Sequence, residues 1–189
     1  MKMNPHRRFL VLAAFVGLGL SACNISPASR ANLTDEAQAS LEDLYRRAPA
    51  ARALSDKAAA ILVFPSVTQA GLIVGAQYGR GVMYVRGRPE GFYNITGGSF
   101  GLQAGAQNFS QAYFFTTIDA LNTFRKSEGF EVGVGLDVAV ASVGVSEEIS
   151  TATLQKPLVV FVWGQQGLMA GVKVEGQKIT KLDTPPPSS

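Results

Sequence analysis

Glycine is distributed very unevenly along this chain of 189 residues. After Asn24 no glycine occurs before Gly71, whereas eighteen glycines lie between Gly71 and Gly176. Glycine lowers helix stability by about 1 kcal/mol relative to alanine, so a glycine-free, alanine-containing segment favours helix. A glycine-rich segment with many turn signals favours strands and loops instead. The distribution therefore predicts helices first and β-structure afterwards.

The segment 34–48 has the pattern of an amphipathic helix. Thr34 is the expected N-cap, and two carboxylates follow it in the first turn, where they suit the helix dipole. Apolar residues then recur at helical spacing on one face, and Pro49 is expected to end the helix. A second helix is predicted over 52–60.

From Ile61 onward, apolar and β-branched segments of strand length alternate with glycine, proline and asparagine turn signals. One helical interruption is predicted over 118–126, where apolar residues share a face. We therefore expect an α+β fold. Its N-terminal helices would pack on a mainly antiparallel, curved β-sandwich or partly closed barrel.

The pattern G-L-x-x-G occurs three times, starting at Gly71, Gly101 and Gly167. If each copy is a strand, one face is apolar and the other carries glycine at alternate positions. A membrane helix pair would need about 20 apolar residues around each copy, but glutamine, arginine or lysine interrupts every one. We predict that the copies are curved strands of the sheet.

The first 23 residues are typical of a bacterial lipoprotein signal. Basic residues precede a short apolar run, and Leu20-Ser21-Ala22-Cys23 resembles a lipobox. Removal of the signal peptide 1–22 would leave Cys23 as the acylated N-terminus, anchored by palmitate-type chains. The alternative is an ordinary signal peptide with a chance cysteine at the cut.

This interpretation divides the chain into a signal peptide, a lipidated tether over 23–33, a single domain over 34–183 and a disordered tail over 184–189. Two or more acyl chains would hold the protein stably on a membrane without spanning it. The expected location is the bacterial cell envelope. Asn24, rather than an aspartate, follows the cysteine, which favours the outer membrane, facing the periplasm or the cell surface.

Composition excludes several function classes. Three of the seventeen basic residues precede Cys23, so the mature chain has fourteen of each sign and no overall field that would indicate nucleic acid binding. The only histidine is His6, in the signal peptide, and the only cysteine is the predicted acylation site. Histidine or cysteine catalysis, a Cys/His metal site and a cofactor are therefore not expected.

Two other residues were candidates for chemistry. Ser99 lies in Gly97-Gly98-Ser99-Phe100-Gly101, which matches the G-x-S-x-G nucleophile motif, but no histidine follows it. A turn between Ile95 and Phe100 is the expected structure there. Asp137 interrupts an apolar strand and is expected to be exposed or paired in a loop. We therefore expect no enzyme.

Basic residues on the predicted helices and around one predicted hairpin suggest a binding surface. If they converge, each would contribute roughly 1 kcal/mol of attraction to an anionic membrane surface. The alternative is that they are solvated or pair with Asp43, Asp56 and Glu90. The candidate lipid-binding set is Arg46, Arg47, Arg52, Lys57, Arg80, Arg86 and Arg88.

Four long segments resemble the SYLF family of lipid-binding domains. They include "AAAILVFPSVTQAGLIVGAQYGRGVMYVRG" at 58–87 and "YNITGGSFGLQAGAQNFSQAYFFTT" at 93–117, followed by 129–141 and 151–182. The resemblance implies α-helix packed on β-structure that binds acidic phospholipids, or phosphoinositides in eukaryotic members. Some yeast members also bind actin, a property that does not transfer to a bacterial envelope protein.

The leading hypothesis is a membrane-anchored lipoprotein whose non-catalytic, SYLF-like domain binds anionic phospholipids or phosphoinositide-like headgroups. The alternative is a structural or interaction lipoprotein that binds a protein partner of the cell envelope. The sequence leaves the oligomeric state open.

Overall fold

A computed structural model of the chain describes residues 25–71, 74–100, 105–144, 150–167, 174 and 176–182. The predicted signal peptide 1–22, Cys23 and the predicted tail 184–189 lie outside these residues. The helices are α1 (Pro27–Arg47), α2 (Pro49–Ser55), α3 (Ile118–Lys126) and α4 (Thr151–Leu154). The strands are β1 (Ala60–Gly71), β2 (Val74–Val85), β3 (Arg88–Phe100), β4 (Gly105–Phe115), β5 (Phe130–Glu131), β6 (Val138–Ser142), β7 (Leu158–Gly167) and β8 (Lys178–Lys181).

The strands belong to one sheet of eight, in the order β5-β8-β3-β2-β1-β4-β7-β6, which curls into a half-barrel. Among the described pairings only β6 with β7 is parallel. The predicted α+β class, the curved and mainly antiparallel sheet, and the helix over 118–126 are confirmed. The strands lie in one curled sheet rather than in the two layers of a sandwich.

Two apolar clusters lie on opposite faces of this sheet. One cluster, which we name the inner cluster, includes Phe64, Tyr113 and Val160 of the strands and Phe124 of α3. The other, which we name the outer cluster, joins strand residues such as Val63 and Phe114 to helix residues such as Ala37 and Leu44. The Tyr84 hydroxyl also donates a hydrogen bond of 3.0 Å from β2 to the Thr34 carbonyl of α1. Apolar packing therefore fills both faces of the sheet over part of its length.

The first helix begins seven residues before the predicted N-cap. Ser26 is the N-cap, accepting a hydrogen bond of 3.2 Å from the Ser29 amide, and Pro27 follows at the first helical position. Serine before proline is a strong start signal, because proline lacks the amide hydrogen that the first turn leaves unpaired. Thr34 lies inside α1, and its hydroxyl donates to the Arg30 carbonyl at 2.8 Å. Residues 27–33 of the predicted tether therefore belong to α1.

The second helix also differs from the prediction. Pro49 ends α1 but at the same time begins α2, where it again occupies the start of a helix. The helix ends at Ser55, and β1 already begins at Ala60, so the predicted boundaries 52–60 are wrong.

The first G-L-x-x-G copy, at Gly71, spans a strand end instead of lying in one continuous strand. Gly71 is the last residue of β1 and pairs with Gly75 of β2, so the chain reverses within the first copy. A Cβ at Gly71 would clash with the Cα of Gly75 and lie 2.7 Å from the Val74 carbonyl oxygen. The reversal therefore requires glycine, and the prediction of a single curved strand is wrong.

The other two copies lie at the same end of the sheet, since Gly71 pairs with Gly105 and Gln107 pairs with Gly167. Residues 101–104 and 168–173 of these copies lie outside the described residues. The turn predicted between Ile95 and Phe100 is also wrong, because β3 continues to Phe100.

Among the described residues, no helix is both long enough and apolar enough to cross a membrane.

Candidate functional site

The structure divides the seven candidate basic residues into several groups. Arg46 and Arg47, in the last turn of α1, both bind Asp43 in the preceding turn, at 3.1 Å and 2.6 Å. Partial burial raises the pKa of Asp43, but hydrogen bonds and charge from Arg47 and Arg46 outweigh this effect and lower it below its ordinary value. The pairing with Asp43 that the sequence left as an alternative is thus observed for these two arginines.

Arg52 and Arg86 line one cavity, although they belong to different parts of the chain. The cavity has a volume of about 340 Å³ and lies between α1, α2 and the turn that joins β2 to β3. We name it the α1–α2 cavity. Its charged and aromatic lining consists of Arg52, Arg86, Glu42, Asp56, Tyr45 and Tyr84.

Local structure holds each arginine at this cavity. The Arg52 guanidinium lies over the Tyr45 ring, 5.0 Å from the ring centroid, which is the geometry of a cation–π contact. Arg86 and Gly87 have φ of 50° and 74° and form the two-residue turn between the paired residues Val85 and Arg88. Two successive positive φ angles are typical of the tightest β-hairpins, so this turn fixes the position from which Arg86 extends.

Both tyrosines of the cavity are neutral near pH 7. Burial raises the pKa of Tyr84 to about 12, with a further contribution from the charge of Asp35. Burial also raises the pKa of Tyr45, although Ser55 and Arg52 oppose the change. The charge of the lining therefore comes from Arg52, Arg86, Glu42 and Asp56 alone, and the two signs balance.

The remaining basic residues do not line this cavity. Lys57 follows α2 and Arg88 begins β3, and both are exposed. Arg80 lines a separate cleft of about 290 Å³ with Ile25, Leu33 and Ser66, and its Nε donates to the Tyr78 hydroxyl at 2.9 Å. Arg80 lies in β2, five residues before its end at Val85, and Arg86 lies in the turn beyond, so about 17 Å of strand separates Arg80 from that turn.

The two residues weighed for catalysis lie far from each other in the fold. Ser99 belongs to β3, where it pairs with Gly75. Asp137 binds Lys156 at 2.6 Å, and both side chains are partly exposed. The expectation that Asp137 is exposed or paired in a loop is confirmed.

Sequence reasoning identified Arg52 and Arg86 but missed the rest of the cavity. Glu42, Tyr45 and Tyr84 have no assigned binding role in the sequence analysis. No local sequence pattern predicts the cavity, because its lining residues come together only where α1, α2 and the β2–β3 turn meet in the fold.

The structure thus defines an α+β protein with a half-barrel sheet, two N-terminal helices and a cavity lined by charges of both signs. Residues 96–184 match the family model described as Ysc84, Las17-binding protein actin regulator. This match confirms the resemblance of residues 96–184 to the Ysc84, or SYLF, family of lipid-binding or actin-regulating domains. No curated protein matches the chain. Arg52 and Arg86 precede the matched segment, so the family match does not assign the cavity.

Proposed function

We propose that this protein is a non-catalytic lipoprotein of the bacterial cell envelope, anchored by acyl chains on Cys23, whose domain binds phospholipid headgroups in the α1–α2 cavity. The observation that carries the headgroup proposal is that Arg52 and Arg86 line the same cavity. Actin and Las17 appear only in the description of the family and are not proposed as partners of this chain.

The chemistry of arginine supports a phosphate-containing ligand. The guanidinium group is planar, always charged and presents paired N–H donors that match phosphate oxygens. Arg52 is already oriented by its contact with Tyr45, and the tight turn fixes the backbone from which Arg86 extends, so less conformational entropy is lost on binding.

The start of α1 supports close attachment to the membrane. Ile25 is buried, and only two residue steps separate it from the proposed acylation site at Cys23. A chain segment of that length spans at most about 7 Å. The domain would therefore be held at the bilayer surface, and we propose the outer membrane because Asn24 follows the cysteine.

Vesicle binding tests the headgroup proposal. The chain starting at Asn24, which cannot be acylated there, would be co-sedimented with phosphatidylcholine vesicles that carry phosphatidylglycerol or phosphatidylethanolamine. Replacing both Arg52 and Arg86 with alanine should weaken binding by about 30-fold, if each arginine contributes roughly 1 kcal/mol.

The matched control replaces Lys126 and Lys178, two exposed lysines outside the cavity, with alanine. This variant has the same net charge as the double arginine variant, so it should retain most of the binding. Absence of binding to all vesicles, or equal losses in the two variants, would contradict the proposal.

A protein-binding role remains the second candidate, and one observation favours it. Val74 is 59% exposed and Tyr78 is 46% exposed, on a part of the sheet that also exposes Ala70 and Ala76. Cross-linking of the acylated protein in envelope preparations would test this role. A partner captured by the parent protein but lost with Val74→Asp would support it.

A further inference from the structure

The four charged residues of the α1–α2 cavity are not paired with one another. The ion pairs formed within the described part of the chain are Arg46–Asp43, Arg47–Asp43, Arg125–Glu90 and Lys156–Asp137. None includes Arg52, Arg86, Glu42 or Asp56, although all four line one cavity. A ligand that enters the α1–α2 cavity therefore meets charges of both signs.

This arrangement discriminates between ligand charges. A ligand with only negative charge gains attraction from Arg52 and Arg86 but is repelled by the carboxylates of Glu42 and Asp56. A ligand with a phosphate and an ammonium group places an opposite charge against each pair. Because specificity is a difference between affinities, and the carboxylates repel the phosphate of either ligand, their attraction for the ammonium group sets the preference.

The neutral part of the lining is consistent with such a ligand. Tyr45 and Tyr84 add aromatic surface but no charge near pH 7, because the pKa of a tyrosine is ordinarily about 10 and burial raises it further in both. The volume of about 340 Å³ falls within the range of pockets that hold small molecules, about 300–1,000 Å³. A lipid headgroup in which two carbons separate phosphate from ammonium is smaller than this cavity.

We propose that the α1–α2 cavity selects a zwitterionic phospholipid headgroup of the phosphoethanolamine type. Its phosphate binds Arg52 and Arg86, and its ammonium group binds Glu42 and Asp56. This inference rests on the proposed headgroup binding. It specifies a zwitterionic headgroup, whereas the sequence alone predicts anionic lipids.

The test uses soluble headgroups, which remove any contribution from the bilayer. The chain starting at Asn24 would be titrated with glycerophosphoethanolamine, a zwitterion, and with glycerophosphoglycerol, an anion, and followed by NMR shifts of the arginine side-chain resonances. The zwitterion should bind about fivefold more tightly, the upper range for one exposed ion pair. Equal affinities, or tighter binding of the anion, would overturn the proposal.

A variant with Glu42→Gln and Asp56→Asn should reverse the order of affinities, because the ammonium group loses its attraction while Arg52 and Arg86 still repel it. The matched control, Asp119→Asn with Glu131→Gln, removes two exposed carboxylates outside the cavity and should preserve the order. Unchanged selectivity in the first variant would also overturn the proposal.

These results separate the inference from the proposed function. If both headgroups bind through Arg52 and Arg86 but the anion is preferred, the headgroup site is retained and the zwitterion proposal fails. If neither headgroup shifts the resonances of these arginines, and vesicle binding ignores their replacement, both proposals fail.

Discussion

The outer face of the sheet changes character along the same strands. Next to α1 and α2 it presents buried apolar side chains, including Ile61, Val63, Val82 and Phe114, which we name the covered half. Toward the β1–β2 reversal its side chains are exposed, and we name this the open half. The open half consists of Thr68, Ala70, Val74, Ala76, Tyr78, Ala106 and Asn108.

The opposite face, which carries the inner cluster, shows a similar gradient toward the same end. Buried Val67 and Phe109 pair in one row, and two residues further along Gln69 pairs with Gln107. The Gln107 amide donates to the Gln69 side-chain oxygen at 3.2 Å. Apolar packing therefore gives way to amide hydrogen bonds, which contribute less net stability than buried apolar area does. We therefore expect the covered half to contribute more to the stability of the fold than the open half.

The largest predicted effect follows from this difference. Phe114 is fully buried in the outer cluster, and Phe114→Ala should lower the free energy of unfolding by about 3–5 kcal/mol. Tyr78→Ala, in the open half, removes a ring that is 46% exposed and should cost less than about 1 kcal/mol. Guanidinium chloride unfolding measures both, and comparable losses would show that the open half is as important as the covered half.

The next effect tests the backbone of the open half. Gly71→Ala should cost about 2–3 kcal/mol, because its Cβ meets the backbone of Gly75 and Val74, which has no freedom to move aside. Gly98→Ala is the control, since the nearest heavy atom to its Cβ is the Gly75 carbonyl oxygen at 4.0 Å. Similar stability of the two variants would show that the reversal at Gly71 is not tightly constrained.

Helix α3 was predictable from the sequence, whereas the reversal at Gly71 was not. Helix α3 has a strong helical period and a Thr117 cap, and its bounds were predicted correctly as 118–126. The reversal at Gly71 was missed because a period-two pattern continues across the turn, so Gly71 and Gly75 looked like two positions on one strand face. They are instead cross-strand partners.

The site was less predictable than the fold. Arg52 and Arg86 could be proposed as binding residues from their charge alone. Only the tertiary structure shows that these two line one cavity, whereas Arg80 lines another cleft and Arg47 pairs with Asp43. The start of α1, in contrast, could have been predicted from the sequence. Ser26 followed by Pro27 is a local helix start signal.

A pH titration tests the buried tyrosines of the sheet beside α1 and α3. Burial raises the pKa of Tyr113 well above its ordinary value, and burial raises the pKa of Tyr84 to about 12. An unfolded tyrosine ionises near pH 10, so the unfolded chain releases protons there that the folded chain retains. The free energy of unfolding should therefore fall as the pH rises above about 10.

Tyr113→Phe sharpens this prediction. The Tyr113 hydroxyl lies within hydrogen-bond distance of the side-chain oxygens of Gln111 and Gln177, both of which are fully buried. Its loss should cost about 1–2 kcal/mol at pH 7 and reduce the alkaline slope, and adding Tyr84→Phe should reduce it further. An alkaline slope that is the same in the parent and the double variant would show that other groups cause it.

The smallest predicted effect concerns exposed charges beside the α1–α2 cavity. Asp43→Asn removes two ion pairs whose arginines are 68% and 54% exposed, and should lower the free energy of unfolding by only about 0.5 kcal/mol. Because the pKa of Asp43 is lowered in the folded state, its contribution is present above the unfolded pKa of about 3.9 and is lost as the pH falls through the folded value. Thermal unfolding between pH 2 and pH 7 measures this difference.

Asp43 does not line the cavity whereas the adjacent Glu42 does, so Asp43→Asn should preserve the preference for glycerophosphoethanolamine that Glu42→Gln weakens. Equal weakening by both variants would mean that the charge of this helix turn as a whole, and not the cavity, sets the preference.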